Sequence, residues 1–155
     1  MSEPHDEHAV AREARKAHDE LLKLLHELED LAARWEERPP EPEQLGDDGR
    51  VLNEFRQLML AHMDMEEREG LVHDILQVSP RHKHEVDRIV AQHEEFAGLL
   101  DELTRDVFDP TVVEDERRRR FIERLRRLIT GVRAHEAHET DLVQRVYYRD
   151  LGAQD

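Results

Sequence analysis

Apolar residues recur every three or four positions along most of this chain, in four blocks separated by proline. In the first block Leu21, Leu22, Leu25, Leu28, Ala32 and Trp35 share one helical stripe, and extending it toward the N-terminus lands on His18. The second stripe reads Leu52, Phe55, Leu58, Met59, His62 and Glu66, with Leu71, Val72, Ile75 and Leu76 carrying it past Gly70. The third reads Val86, Ile89, Val90, His93, Phe96, Ala97, Leu100, Leu103 and Val107, and the fourth Phe121, Leu125, Leu128, Val132, His135, Glu139, Leu142 and Val146. Pro4, Pro39, Pro40, Pro42, Pro80 and Pro110 all fall between or at the edges of these blocks. A proline inside a helix costs roughly 3 kcal/mol. The pattern therefore predicts helices over roughly 5–38, 48–78, 80–108 and 111–149.

The breaks carry their own signals. RPPEPEQLGDDG predicts the longest loop, with Asp48 as the N-cap of the second helix, and Ser79-Pro80 and Asp109-Pro110 start the later blocks. No segment alternates at the strand period. The expectation is an all-α chain, a single domain over residues 1–155 folded as an up-down-up-down four-helix bundle.

Polar residues interrupt the stripes where leucine belongs. His62 stands four residues before Glu66, and His135 four before Glu139, so each pair leaves one helix face a turn apart, about 6 Å. His18 and His93 occupy the same kind of position alone. A single histidine on an apolar face is usually a hydrogen-bonded core residue. Ionised groups buried without partners, however, cost several kcal/mol each, and the repeated pairs call for compensation by metal ions. Four imidazoles and two carboxylates suit iron, manganese or zinc, and suit calcium or magnesium poorly. With both carboxylates bridging, each of two metals would receive two nitrogens and two oxygens and keep an open position.

The other candidates read as structural. His138 points off the stripe, though it is the nearest competitor; Glu67 and Glu136 are expected in outer or exposed positions. His5, His8, His73, His82 and His84 are assigned no ligand role, and Tyr147 and Tyr148 lie about two turns past Glu139, as packing residues. Met59, Met63 and Met65 read as core packing, and Gly98 and Gly131 as sites of close helix approach or of mere tolerance. The run Arg117 to Arg120 is flanked by Glu114, Asp115, Glu116 and Glu123 and reads as a solvated, paired helix face.

Composition narrows the function classes. A net charge of −15 over 155 residues argues against a nucleic-acid partner, and the absence of cysteine removes disulfides, thiolate ligands and thiol nucleophiles. Charged residues make up 39% of the chain, which at helical spacing describes the outer faces of helices. The N-terminus has neither a basic nor an apolar targeting pattern and no run reaches a membrane span, so the expected location is the cytoplasm, without membrane contact. The expected assembly is a monomer or a weak homodimer.

The segments KAHDELLKLLHELEDL, LMLAHMDMEEREGL, AQHEEFAGLLDEL and VRAHEAHETDLVQRVYYRDLG, in the order His, His-x-x-x-Glu, His, His-x-x-x-Glu, resemble the hemerythrin-like (HHE cation-binding) domains. The resemblance runs from about Ala14 to Gly152. It implies a non-heme centre of two iron ions with a bridging oxo or hydroxo group, ahead of zinc or manganese, held by His18, His62, Glu66, His93, His135 and Glu139. Oxygen-carrying hemerythrins have a second histidine four residues after the one on the third helix and an aspartate five after the one on the fourth. Here those positions are Ala97 and Thr140. The pattern is more similar to hemerythrin-like proteins that handle peroxide or nitric oxide, repair iron centres or sense iron and oxygen. It implies reaction with hydrogen peroxide, O2 or nitric oxide, a catalase-like enzyme being one form of this, with non-catalytic O2 or iron sensing, binding or storage as the alternative.

Overall fold

The computed structural model describes residues 4–68 and 70–146, and every element in it is a helix. The α-helices are α1 (Pro4–Glu37), α2 (Pro42–Arg68), α3 (Leu71–Val78), α4 (Lys83–Val107) and α5 (Asp115–Gln144), with 3-10 turns at Pro80–His82 and Pro110–Val113. α1 packs on α2 and α5, and α4 on the same two helices. This closed ring of four long neighbours is compatible with a four-helix bundle. The expectations for Tyr147 and Tyr148, and for the side chains of His5, His8 and His73, lie outside the described residues.

The predicted stripes are the buried faces. Leu21, Leu25, Leu28, Ala32 and Trp35 of α1 meet Leu52, Phe55 and Met59 of α2, Leu100, Leu103 and Val107 of α4, and Phe121, Leu125, Leu128 and Val132 of α5 in one apolar cluster. Trp35 stacks on Phe121, ring centroids 4.6 Å apart. Beyond the histidine level lies a second, smaller cluster: Val72 and Ile75 of α3, Val86 and Ile89 of α4, and Leu142 with Val146 at the end of the chain described. No helix among the described residues is long and apolar enough to cross a membrane.

Three boundaries differ from the sequence expectation. α2 starts at Pro42, inside the stretch expected to be loop, and Asp48 is not an N-cap but a buried residue of the second turn. Pro42 suits a first helical turn and Glu43 favours its positive end, while Gly46 and Gly49 each cost a helix only about 1 kcal/mol. What recruits Asp48 is α1: its carboxylate accepts from Arg34 at 3.0 and 3.2 Å, from the Trp35 indole at 2.8 Å and from Gln44 at 2.9 Å. Gly49 matters for a different reason, because a Cβ there would stand 2.9 Å from the Phe108 ring. At the other end of the second block the helix breaks at Gly70, giving α2 and α3 in place of one rod. The last block opens with a 3-10 turn capped by Asp109, whose Oδ1 accepts from Thr111 N at 3.0 Å.

Within the arginine run Arg118 pairs with Asp115 and Arg120 with Glu116, as expected of the flanking acidic residues, while Arg117 pairs with the more distant Asp109. Met59 and Met63 are core residues, whereas Met65 is exposed.

Candidate metal centre

Three helices deliver ligand-type side chains to one level of the interior, between the two apolar clusters. On α2, one helical turn brings His62 Nε2 to 2.6 Å from Glu66 Oε1; on α5 the same spacing brings His135 Nε2 to 2.6 Å from Glu139 Oε1. His93 of α4 joins the two: its Nε2 is 3.2 Å from Glu66 Oε2, 3.6 Å from Glu139 Oε1 and 3.2 Å from His135 Nε2.

These atoms form two groups. Donor atoms of Glu66, His93, His135 and Glu139 lie within 4.8 Å of one another, and so do those of His62, Glu66, Glu136 and Glu139. Glu66 and Glu139 belong to both. Each group could hold a cation, and the two have a pair of carboxylates in common, one being completed by two imidazoles and the other by one imidazole and a third carboxylate.

Glu136 corrects the sequence expectation, which placed it in an outer or exposed position. It is buried, and its Oε1 lies 3.5 Å from His62 Nε2. The signal was present in the sequence: Ile122, Ile129 and Glu136 are spaced by seven and all are buried, a second row beside the main stripe of α5. His18 falls in neither group. It stands at the rim, its side chain 36% exposed, with Nδ1 3.1 Å from Glu136 Oε2. The structure thus brings His62, Glu66, His93, His135 and Glu139 together, and links His18 to them through Glu136.

Whether these residues fit metal ions is tested by what they leave unsatisfied. Both ring nitrogens of His62, together with Glu66 Oε2, Glu136 Oε1 and Glu139 Oε1, are buried without a hydrogen-bonding partner. His62 Nε2 touches Glu66 but outside hydrogen-bonding geometry. An orphaned buried polar atom costs about 1–3 kcal/mol, more when charged. Cations at the two positions would satisfy the orphaned oxygens and His62 Nε2, and the mixed nitrogen and oxygen set suits a transition metal.

Electrostatics point the same way. Burial works to lower the pKa of His62, but the carboxylates of Glu136 and Glu66 outweigh it and raise it to about 10. For His93 burial again opposes, and Glu139, Glu66 and Glu67 raise it to about 10. Burial works to raise Glu66, but His62, His93 and Glu139 hold it down at about 2. Without metal, protons on imidazoles compensate the clustered carboxylates, and a cation binding there displaces them.

Outer contacts orient two of the rings. His135 Nδ1 donates to Gln92 Oε1 at 2.7 Å, leaving Nε2 free to ligate, and Phe96 meets the His135 ring edge-on with centroids 5.3 Å apart. His93 Nδ1 lies 3.1 Å from Glu67 Oε1. His138 is turned away from the centre and meets Glu85 Oε2 at 3.0 Å. That carboxylate also accepts from Arg145, which is the first cause of its pKa lying at about 2, followed by His138 and His82. The Arg145 guanidinium occupies both oxygens of Glu85, and this second cluster ties α4 to the end of α5.

No protein-family model matches this chain, and neither a curated protein nor a solved structure does.

Proposed function

We propose that the buried layer is a di-iron centre of the hemerythrin-like kind that reacts with a small oxidant, namely hydrogen peroxide, O2 or nitric oxide. The observation that carries this reading is the sharing of Glu66 and Glu139 between two four-donor groups, each of these carboxylates having an orphaned oxygen, with His62 Nε2 and Glu136 Oε1 orphaned in the second group. His93 and His135 would hold one ion and His62 with Glu136 the other, and Glu66 and Glu139 would be available to both. Iron held there supplies coordination and one-electron chemistry toward the oxidant.

The protein's own part is confinement and orientation. His93 and His135 are almost wholly buried, so the donors on α4 and α5 are shielded from bulk solvent and from large molecules. Gln92 fixes the His135 tautomer and Glu67 contacts His93, so the ligating nitrogens are aimed before any ion arrives. His18, half-buried at the rim and bonded to Glu136, meets solvent on one side of the layer, as Glu67 does beside His93.

Metal analysis of the purified protein, followed by visible spectra with and without peroxide, tests the proposal. Two irons per chain with charge-transfer bands that respond to peroxide support it, and O2 release or nitric oxide consumption establishes turnover. Reversible spectral change with O2 and no turnover assigns sensing or storage. Stoichiometric zinc alone overturns the iron assignment, and a protein that takes up no metal overturns the centre.

A further inference from the structure

We infer that the two positions of the centre are unequal, one holding its ion as a resident and the other as an exchangeable ion. The inference rests on the metal-centre reading above. The resident position is that of His93, His135, Glu66 and Glu139; the exchangeable one is that of His62, Glu136 and the two shared carboxylates.

Three independent features separate them. The donor sets differ, two imidazoles and two carboxylates against one imidazole and three carboxylates, and imidazole nitrogen binds later divalent transition metals more strongly than carboxylate oxygen does. The outer contacts differ as well. His135 is anchored by Gln92 and His93 by Glu67, whereas His62 Nδ1 is buried with no partner. Outer hydrogen bonds of this kind are worth about 10–100-fold in metal affinity. Exposure differs too: the side chains of His135 and His93 are 0% and 4% exposed, that of His62 is 13%, and the half-exposed His18 stands next to Glu136.

Glu136 makes the exchange route concrete. One of its oxygens is bonded to His18 at the rim and the other is orphaned in the second group. A carboxylate that reaches both the solvent edge and the interior position can receive an ion at the edge and pass it inward. The resident position has no such residue among its donors.

Titration of the metal-free protein with Co2+ under anaerobic conditions, read by visible ligand-field bands and by competition with a chelator, tests this without any measure of turnover. The expected result is two steps separated by about 10–100-fold. A single cooperative step of two ions, or two equal steps, overturns the inference and leaves the metal centre standing, whereas no Co2+ uptake removes both. His62→Ala should keep the tight step with one ion per chain. Gln92→Ala should weaken that step by about 10–100-fold, with Gln92→Glu restoring it through its acceptor oxygen. If His62→Ala abolishes the tight step while helical content is unchanged, or Gln92→Ala weakens only the second step, the assignment is reversed.

Discussion

Asp48 offers the sharpest test of how the bundle is held independently of metal. It is 2% exposed and its carboxylate serves Arg34, the Trp35 indole and Gln44 together. In Asp48→Ala each donor loses its acceptor, but unequally. The Trp35 N–H is buried and cannot reach water, which costs about 1–3 kcal/mol. Arg34 is nearly half exposed and can turn outward, so its loss falls below the roughly 3–5 kcal/mol of a fully buried ion pair. The expected total is about 2–4 kcal/mol. Asp48→Asn keeps one acceptor oxygen and should cost about half as much. Trp35 is the single tryptophan of the chain, so its fluorescence reports this site directly during urea unfolding of metal-free protein, with circular dichroism as the global probe. A loss below about 0.5 kcal/mol for Asp48→Ala, within the range of ordinary surface substitutions, refutes the reasoning.

Each ion at about 100 times its dissociation constant adds roughly 2.7 kcal/mol, or about 5–11 °C in Tm for a domain of this size; His62→Ala should lose the gain of one ion and Glu66→Ala, which serves both positions, nearly all of the gain, as scanning calorimetry would show. In the metal-free protein His62 and His93 titrate at about 10 against 6.5 for the free side chain, so their stabilisation is complete below pH 6.5 and lost as pH rises toward 10. Metal binding runs the opposite way because it displaces those protons, so the metal-induced rise in Tm should grow over the same interval. Gly98 has open space around an added Cβ, so Gly98→Ala should stabilise by about 0.5–1 kcal/mol in urea melts. Gly131→Ala should fall short of that gain, because its Cβ would stand 3.0 Å from the buried Phe96 ring, which abuts His135.

The four helical blocks were legible because their stripes keep the helical period from end to end and proline marks the boundaries between them. Much of the centre was legible too, since an imidazole and a carboxylate four residues apart on a stripe have nowhere to go but inward. The start of α2 was hidden because the groups that draw Asp48 inside sit 13 and 14 residues away on α1, beyond any local pattern. Gly49 looked like a loop residue for the same reason, its partner being Phe108 at the far end of α4. Glu136 was less legible because it lies off the central stripe of α5, in the adjoining buried row through Ile122 and Ile129. The separate destinations of Gly98 and Gly131, one facing open space and one facing Phe96, have no counterpart in the sequence pattern.

The charged storey between the two apolar clusters divides what would otherwise be one cooperative unit. The smaller cluster of Val72, Ile75, Val86, Ile89, Leu142 and Val146 has little apolar surface of its own, so its amides should exchange with deuterium through partial opening well before those around Leu25, Leu52 and Leu100. An ion bound to Glu66, His93, His135 and Glu139 would rivet the two floors together, and the gap between their exchange rates should close.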